Sequence, residues 1–197
     1  MNTLVVFETK VMSTKLQQIL KWTWICIIAI CVIIYLVDPR FFSNETIAAF
    51  ISKFSGYAWT TYFLIHLFRG FVLLPSTPLV FAGVILFPDH LIWVLVVSLL
   101  GIIGSSLLIY YFSDKLGFSS FFDSESRKLK VVKERLSGKN GFIYILLWSF
   151  IPIVPTDVIC YVSGALRIKL PIFISSLLLG ELVLCSIYIF GASYFIN

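Results

Sequence analysis

The sequence predicts an all-α polytopic membrane protein made of two inverted repeats and an N-terminal signal-anchor helix. Each repeat is expected to be a proline-broken re-entrant hairpin followed by a transmembrane helix. Of the 197 residues, 59% are hydrophobic and 13% are charged, and the mean hydropathy is +1.00, whereas soluble globular chains average about 25% charged residues. Two apolar stretches are also interrupted by prolines in similar patterns. This length has room for roughly four to six membrane segments of about 20 residues each.

The basic residues are distributed as the flanks of membrane segments. They cluster near the N-terminus, at Lys10, Lys15 and Lys21, and again in the polar loop 114–140. This pattern follows the positive-inside rule, so both regions are predicted to be cytoplasmic and nucleic-acid binding is not expected. The four cysteines lie in apolar stretches, and the sequence has no CxxC, HExxH or GxSxG motif. We therefore expect no enzyme activity, no metal and no cofactor.

Residues 1–56 are predicted to form a lead-in, an anchor helix and an interfacial segment. Residues 22–37 are uncharged, and Trp22 and Trp24 at their start are expected to be interface anchors. This run is interpreted as an uncleaved signal anchor with the N-terminus inside. The apolar residues of segment 41–53 fall at helical spacing, which predicts an interfacial amphipathic helix or the polar start of the next span.

Residues 57–197 are predicted to form one membrane domain with two matched halves. Each half has a hairpin, at about residues 70–88 and 141–166, followed by a long apolar helix, at residues 91–112, which carry no charge, and at residues 170–195. The hairpins share a P-x-x-P pattern followed by a glycine: Pro75, Pro78 and Gly83 in the first, and Pro152, Pro155 and Gly164 in the second. Proline lacks a backbone donor and disfavours helical geometry in the preceding residue. Matched broken segments in two halves indicate a transporter site built from inverted repeats.

Three ionisable residues lie in the apolar stretches: Arg69, Asp157 and Glu181. Charged groups inside a membrane are costly and by default mark a pathway or a site. The planar guanidinium of Arg69 suits phosphate oxygens, and the two acids are candidate proton carriers. Plainer roles stay open, because Asp157 can cap a helix, Glu181 can bond to a partner helix, and Arg69 can extend to an interface. His66 is expected at the interface.

The predicted orientation restricts how the first half crosses the membrane. With the N-terminus and loop 114–140 both cytoplasmic, the chain crosses an odd number of times between residues 40 and 114. Either the first hairpin dips in from outside and one span returns, or three segments cross. We prefer the hairpin, because two broken segments entering from opposite faces would meet near the midplane.

These motifs resemble the DedA/VTT-domain superfamily, also called the SNARE-associated Golgi protein family. The resemblance rests on LPSTPLVFAGVILF, YYFSDKLG and FIPIVPTDVICYVSGAL, and it extends from Arg69 to about residue 195. It implies two re-entrant hairpins, each followed by membrane helices in inverted arrangement. Relatives often have arginine just before the second proline motif, where this chain has Ser149. We therefore hypothesise that Arg69, from the other half, supplies the cation for Asp157.

The resemblance also implies a function, because members of the family are implicated in moving lipids between leaflets. The expected substrate is an anionic phospholipid or a polyprenyl-phosphate, with protons as a coupling partner and a homo-oligomer as one possible assembly. The expected location is the bacterial plasma (inner) membrane, with the N-terminus cytoplasmic. Two alternatives are a proton- or ion-coupled carrier of a small solute and a non-transporting membrane assembly factor.

Overall fold

The computed structural model describes residues 14–115, 131–132, 134–136, 138, 140–151 and 156–196. No strand occurs in these residues. The principal helices, numbered here in chain order, are α1 (Thr14–Val37), α2 (Asn44–Ser52), α3 (Ala58–Arg69), α4 (Thr77–Leu86), α5 (Leu91–Lys115), α6 (Gly141–Phe150), α7 (Thr156–Ala165) and α8 (Leu170–Ile196). Pro152 and Pro155 lie outside the described residues, as does most of the predicted basic loop 114–140.

Within the described residues, three helical segments are long and apolar enough to cross a membrane. They are Gln18–Val37, Pro88–Ser113 and Leu170–Tyr194. The apolar helices Thr77–Leu86 and Gly141–Phe150 have ten residues each, so each is about 15 Å long and half the thickness of a hydrocarbon core. The prediction of an all-helical membrane protein is confirmed.

In the first half, α3 and α4 run antiparallel and form a helical hairpin. The ring of Trp59, near the start of α3, stacks on Phe87, just after α4, with ring centroids 3.7 Å apart. A Cβ at Gly83 of α4 would lie 2.6 Å from Cζ of Tyr62 and 2.8 Å from Cγ1 of Val94. Only glycine permits this approach, which fixes where α4 crosses α3. The predicted hairpin residue Gly83 is therefore a packing position.

The α3 helix lies alongside α5 and runs in the same direction. Tyr62 and Ser98 share a 2.6 Å hydrogen bond between their hydroxyls, and Gly70, just after α3, faces Ser105 and Ile109 farther along α5. Since α5 continues beyond Ile109 to Lys115, the tip of the hairpin ends short of the far end of α5.

The second half ends beside the C-terminal part of α5. Gly164 of α7 packs so closely on Tyr110 and Ser113 that there is no room for a Cβ, which would lie 2.8 Å from the Tyr110 carbonyl carbon. Tyr110 Oη donates to the carbonyl of Ile168 at 2.6 Å, and its ring stacks on Phe173 at 5.3 Å. The end of α7 and the start of α8 therefore lie at this end of α5.

The long helices α5 and α8 are antiparallel at the centre of the fold. One core cluster joins Ile109 to Phe173, and the other joins Val94 to Cys185 and Ile189. The short helices pack around this pair in a matched way. The first short helix of each half packs on the long helix of its own half, α3 on α5 and α6 on α8. The second short helix packs more on the long helix of the other half than on that of its own, α4 on α8 and α7 on α5.

The N-terminal helices also make contacts within the protein that the sequence did not indicate. Trp24, expected as an interface anchor, donates from Nε1 to the Phe71 carbonyl at 2.6 Å, and its ring centroid lies 5.2 Å from that of Tyr161. Segment 41–53 contains the separate helix α2, which packs on α4 and buries Ile51 completely in the core. One face of α2 thus belongs to the protein interior.

Candidate functional site

Arg69 and Asp157 form an ion pair inside the protein. Arg69 Nη1 donates to Asp157 Oδ2 at 3.0 Å, and the two side chains are 3% and 2% exposed. The pair joins the last residue of α3 to the first turn of α7, across 88 positions of the chain. A charge buried alone would be costly, and an opposite charge at this distance offsets part of the cost. The two halves of the molecule are therefore linked by this pair.

The end of α3 explains how the guanidinium is held. After a 3₁₀ turn, Leu73 takes a left-handed conformation, with φ 58° and ψ 28°. Its N–H donates to the Gly70 carbonyl at 3.3 Å. The next N–H, of Leu74, donates to the Arg69 carbonyl at 3.4 Å, which completes the bond pattern of a Schellman helix end. The reversal brings the Leu74 carbonyl to Arg69, where it accepts from Nη1 at 2.7 Å.

Arg69 retains donor capacity beyond these two bonds. Its Nε and Nη2 atoms are buried and have no hydrogen-bond partner within the described residues. Buried donors that stay unpaired cost free energy, and guanidinium donors match the oxygens of carboxylates and phosphates. The site is therefore suited to an additional oxygen ligand.

Gly70 allows α5 and α7 to approach the ion pair closely. A Cβ at Gly70 would lie 2.8 Å from Asp157 Oδ1 and 2.6 Å from Ile109 Cδ1, and closer still to Ser105 Oγ. A larger residue would push these groups apart. The Ser105 hydroxyl is also buried and lacks a partner in the part of the chain that is described, so it is a further polar atom available beside the pair.

Glu181 is fully buried in the middle of α8, next to the start of α7. Thr156 Oγ1 donates to Glu181 Oε1 at 2.7 Å, and Cys185 Sγ lies 3.7 Å from Oε2. Because Thr156 immediately precedes Asp157, this contact places Glu181 one residue away from the ion pair along α7. Glu181 thus bonds to a neighbouring helix, which was the plainer of its two predicted roles. It also lies next to the Arg69 site.

His66 is not interfacial, contrary to the sequence prediction. Its side chain is completely buried, its ring meets that of Tyr62 at 4.8 Å, and its Cβ lies against Gly101 of α5. Neither ring nitrogen has a hydrogen-bond partner among the described residues. The physical reason is helical spacing, because Tyr62, His66 and Arg69 fall on one face of α3 and that face packs on α5.

The family model of the VTT domain matches residues 74–194. This chain belongs to the VTT-domain family. The match covers more than half of the chain and confirms the resemblance to the DedA/SNARE-associated Golgi protein family. Searches of curated proteins and of solved structures found no match.

The VTT domain contains most, but not all, of the predicted site. Asp157 and Glu181 lie inside the matched residues, whereas Arg69 precedes them. Pro75 is at the tip of the first hairpin, and Pro78 is in the first turn of α4, where its missing N–H costs little because no helical partner exists there. The corresponding prolines of the second hairpin lie outside the described residues.

Three groups around the VTT-domain site were not found from the sequence: Gly70, Ser105 and Thr156. Gly70 directly follows Arg69, and a glycine beside a charged residue in an apolar stretch was a usable signal of close packing. Ser105 and Thr156 gave no such signal, because small hydroxyl residues occur throughout membrane helices, where they bond to their own helix or to a neighbour.

Proposed function

We propose that this VTT-domain protein moves an anionic lipid, either a phospholipid or a polyprenyl-phosphate, between the leaflets of a membrane. One observation carries the proposal: the buried Arg69 guanidinium pairs with Asp157 and keeps donors that have no partner within the described residues. A lipid phosphate is an anion that must cross roughly 30 Å of hydrocarbon. A guanidinium inside the protein lowers that barrier by replacing water as the partner of the phosphate oxygens.

The proposal includes two re-entrant hairpins in inverted repeats. The antiparallel arrangement of α5 and α8 supports it, as does the matched packing of the short helices. In this arrangement, one hairpin enters from each face, and the Arg69–Asp157 contact lies where their tips meet. Helix N-termini favour anions, and α4 and α7 both begin at these tips.

In the proposed cycle, the phosphate competes with Asp157 for Arg69. Asp157 holds Arg69 while the site is empty, and the lipid phosphate binds the Nε and Nη2 donors as it passes. Asp157 is the first candidate to carry a proton when it separates from Arg69, and Glu181, bonded through Thr156, is the second. Neither step needs a cofactor or covalent chemistry, and we propose no enzymatic reaction. We place the protein in a bacterial plasma (inner) membrane, with its N-terminus cytoplasmic.

A proton- or ion-coupled carrier of a small solute is the second candidate. The buried Glu181 carboxyl favours it, because embedded acids serve as proton sites in such carriers. A non-transporting assembly factor is the third candidate, and it requires no function for Arg69 or Asp157.

Lipid movement in proteoliposomes tests the proposal. The purified chain is reconstituted with traces of fluorescent phosphatidylglycerol or fluorescent phosphatidylcholine, and dithionite then bleaches the fluorophores in the outer leaflet, with and without a pH gradient. We expect wild-type protein to expose inner-leaflet phosphatidylglycerol to dithionite faster than phosphatidylcholine. The double variant Arg69→Met/Asp157→Leu removes both charges together. It should be at least about tenfold slower, the loss expected for a hydrogen bond to a charged group.

The control variant is Arg40→Met, because Arg40 is exposed and lies outside the site; it should keep the wild-type rate. A folded double variant with the wild-type rate would contradict the assigned roles of Arg69 and Asp157. Wild-type vesicles that take up a solute but do not move lipid would favour the solute carrier. If neither activity is found and Arg69→Ala cells behave as wild type, the assembly factor is favoured.

A further inference from the structure

An apolar groove runs along the side of α3 that faces away from α5. Its volume is about 510 Å³. Its walls come from α3 and the hairpin tip that follows it, and they are the side chains of Leu64, Ile65, Phe68, Val72 and Leu74. Thr61 lies at one end and Arg69 lines the groove at the other. Thr61 and Arg69 are eight positions apart, which corresponds to about 12 Å along the helix.

The groove connects the membrane-facing surface to the buried ion pair. Leu64 and Phe68 are 43% and 56% exposed, so the groove is open at the side, whereas Arg69 is only 5% exposed. Arg69 is the charged residue that lines it, and its Nε and Nη2 atoms have no partner within the described residues. One surface thus offers hydrocarbon contacts along its length and unpaired cationic donors at its end.

We infer that this groove binds an acyl or prenyl chain of the transported lipid while the lipid phosphate contacts Arg69. The inference rests on the proposed function and specifies its binding site. An anionic amphiphile has the required chemistry in the required order, an apolar chain followed by an anion that completes the guanidinium donors. The chain enters sideways, in contact with Leu64 and Phe68, and its hydrocarbon need not leave the bilayer when the headgroup moves inward.

The other occupant considered was a second copy of this chain. A membrane helix presents apolar side chains around a backbone whose polar groups are already paired. It would fill the groove but leave the Arg69 donors without a partner. Charge complementarity therefore favours the anionic lipid.

The test fills the groove without changing the ion pair. Leu64→Trp places a larger side chain in the groove. Leu108→Trp is the matched control, because Leu108 is 41% exposed on α5 and does not line the groove. Both full-length variants are reconstituted, and transport of fluorescent phosphatidylglycerol is measured. Displacing about two methylene groups of the chain corresponds to roughly tenfold weaker binding, so Leu64→Trp should be roughly tenfold slower and Leu108→Trp should match the wild type.

A binding measurement separates this inference from the proposed function. Phosphatidylglycerol with a photoreactive diazirine in its acyl chain is cross-linked in the same vesicles, and the labelled peptides are identified by mass spectrometry. Labelling concentrated on α3 of the wild type, and reduced by Leu64→Trp, supports the groove even if no transport occurs.

Three results would overturn the inference that the groove binds the lipid chain. The first is a wild-type transport rate in a folded Leu64→Trp variant, which leaves the proposed function intact. The second is labelling spread evenly over the exposed helices. The third is a disulfide between two copies of a Leu64→Cys variant whose native cysteines are replaced by alanine, which would assign the surface to a dimer. A wild-type protein that binds at the groove but moves no lipid contradicts the proposed function alone.

Discussion

Removing either member of the Arg69–Asp157 pair leaves the other charge buried without its partner. We expect Arg69→Met and Asp157→Leu each to lower the free energy of unfolding by about 3–5 kcal/mol, because an uncompensated buried charge is strongly destabilising. The double variant should recover most of this loss, since apolar residues of similar volume often replace a buried ion pair without cost. Unfolding of the purified variants in detergent micelles measures all three values.

A double-mutant cycle decides whether the two side chains act on each other. Losses that simply add in the double variant would show that they do not. Arg40→Met again provides the control, because an exposed arginine should change the free energy of unfolding by no more than about 1 kcal/mol.

At the residue level, the candidate site could be predicted only in part. Arg69, Asp157 and Glu181 were identifiable because charges are rare in apolar stretches. Ser149 stands where relatives often have arginine, which suggested that Arg69 supplies the cation for Asp157. The partners of these side chains could not be predicted. The Leu74 carbonyl reaches Arg69 because Leu73 is left-handed, and the Thr156 hydroxyl reaches Glu181 because the first residue of α7 lies beside the middle of α8. Both depend on packing rather than on residue type.

At the scale of the element, close contact between α6 and α8 depends on one glycine. A Cβ at Gly180 would lie 2.7 Å from Ser149 Cβ and 3.1 Å from the Leu146 carbonyl oxygen. We expect Gly180→Ala to lower the free energy of unfolding by about 1–3 kcal/mol, the usual cost of overpacking. Thermal unfolding in detergent measures the effect.

Gly191→Ala is the control on the same helix, because a Cβ there would meet nothing within 4 Å. It should be neutral or stabilise the protein by up to about 1 kcal/mol, since alanine is the better helix former. Equal losses in the two variants would mean that the loss at Gly180 comes from the backbone of α8 rather than from contact with α6.

The lengths of the long helices were predictable, but their partners were not. The uncharged run 91–112 predicted α5, which extends to Lys115 because polar residues can continue a helix beyond the apolar core. In the same way, α1 begins at Thr14, before the uncharged run at residue 22. The position of His66 was mistaken because its burial depends on which face of α3 meets α5. The small residue Gly101 indicates that another helix can pack closely there, but it does not indicate which helix or which of its side chains.

At the scale of the whole molecule, the two halves place corresponding helices in corresponding contacts. The repeated P-x-x-P pattern was the sequence signal for two halves. In the structure, α4 packs more on α8 than on α5, and α7 packs on α5. The pattern did not indicate that the short helices cross over to the other half. This exchange is what brings Asp157 of one half to Arg69 of the other.

The arrangement predicts that the two ends of α5 are accessible from opposite sides of the membrane. Asp89 precedes α5, whereas Lys169 lies beside its C-terminal end, because Tyr110 bonds to Ile168 and stacks on Phe173. In a variant whose four native cysteines are replaced by alanine, Asp89→Cys should react with an impermeant maleimide in intact cells. Lys169→Cys should react only after permeabilisation. Both positions are exposed, so both introduced cysteines should react after permeabilisation. This labelling is the control that each cysteine can react with the maleimide. Labelling of both from outside would exclude a single crossing by α5 and, with it, two hairpins that meet from opposite faces.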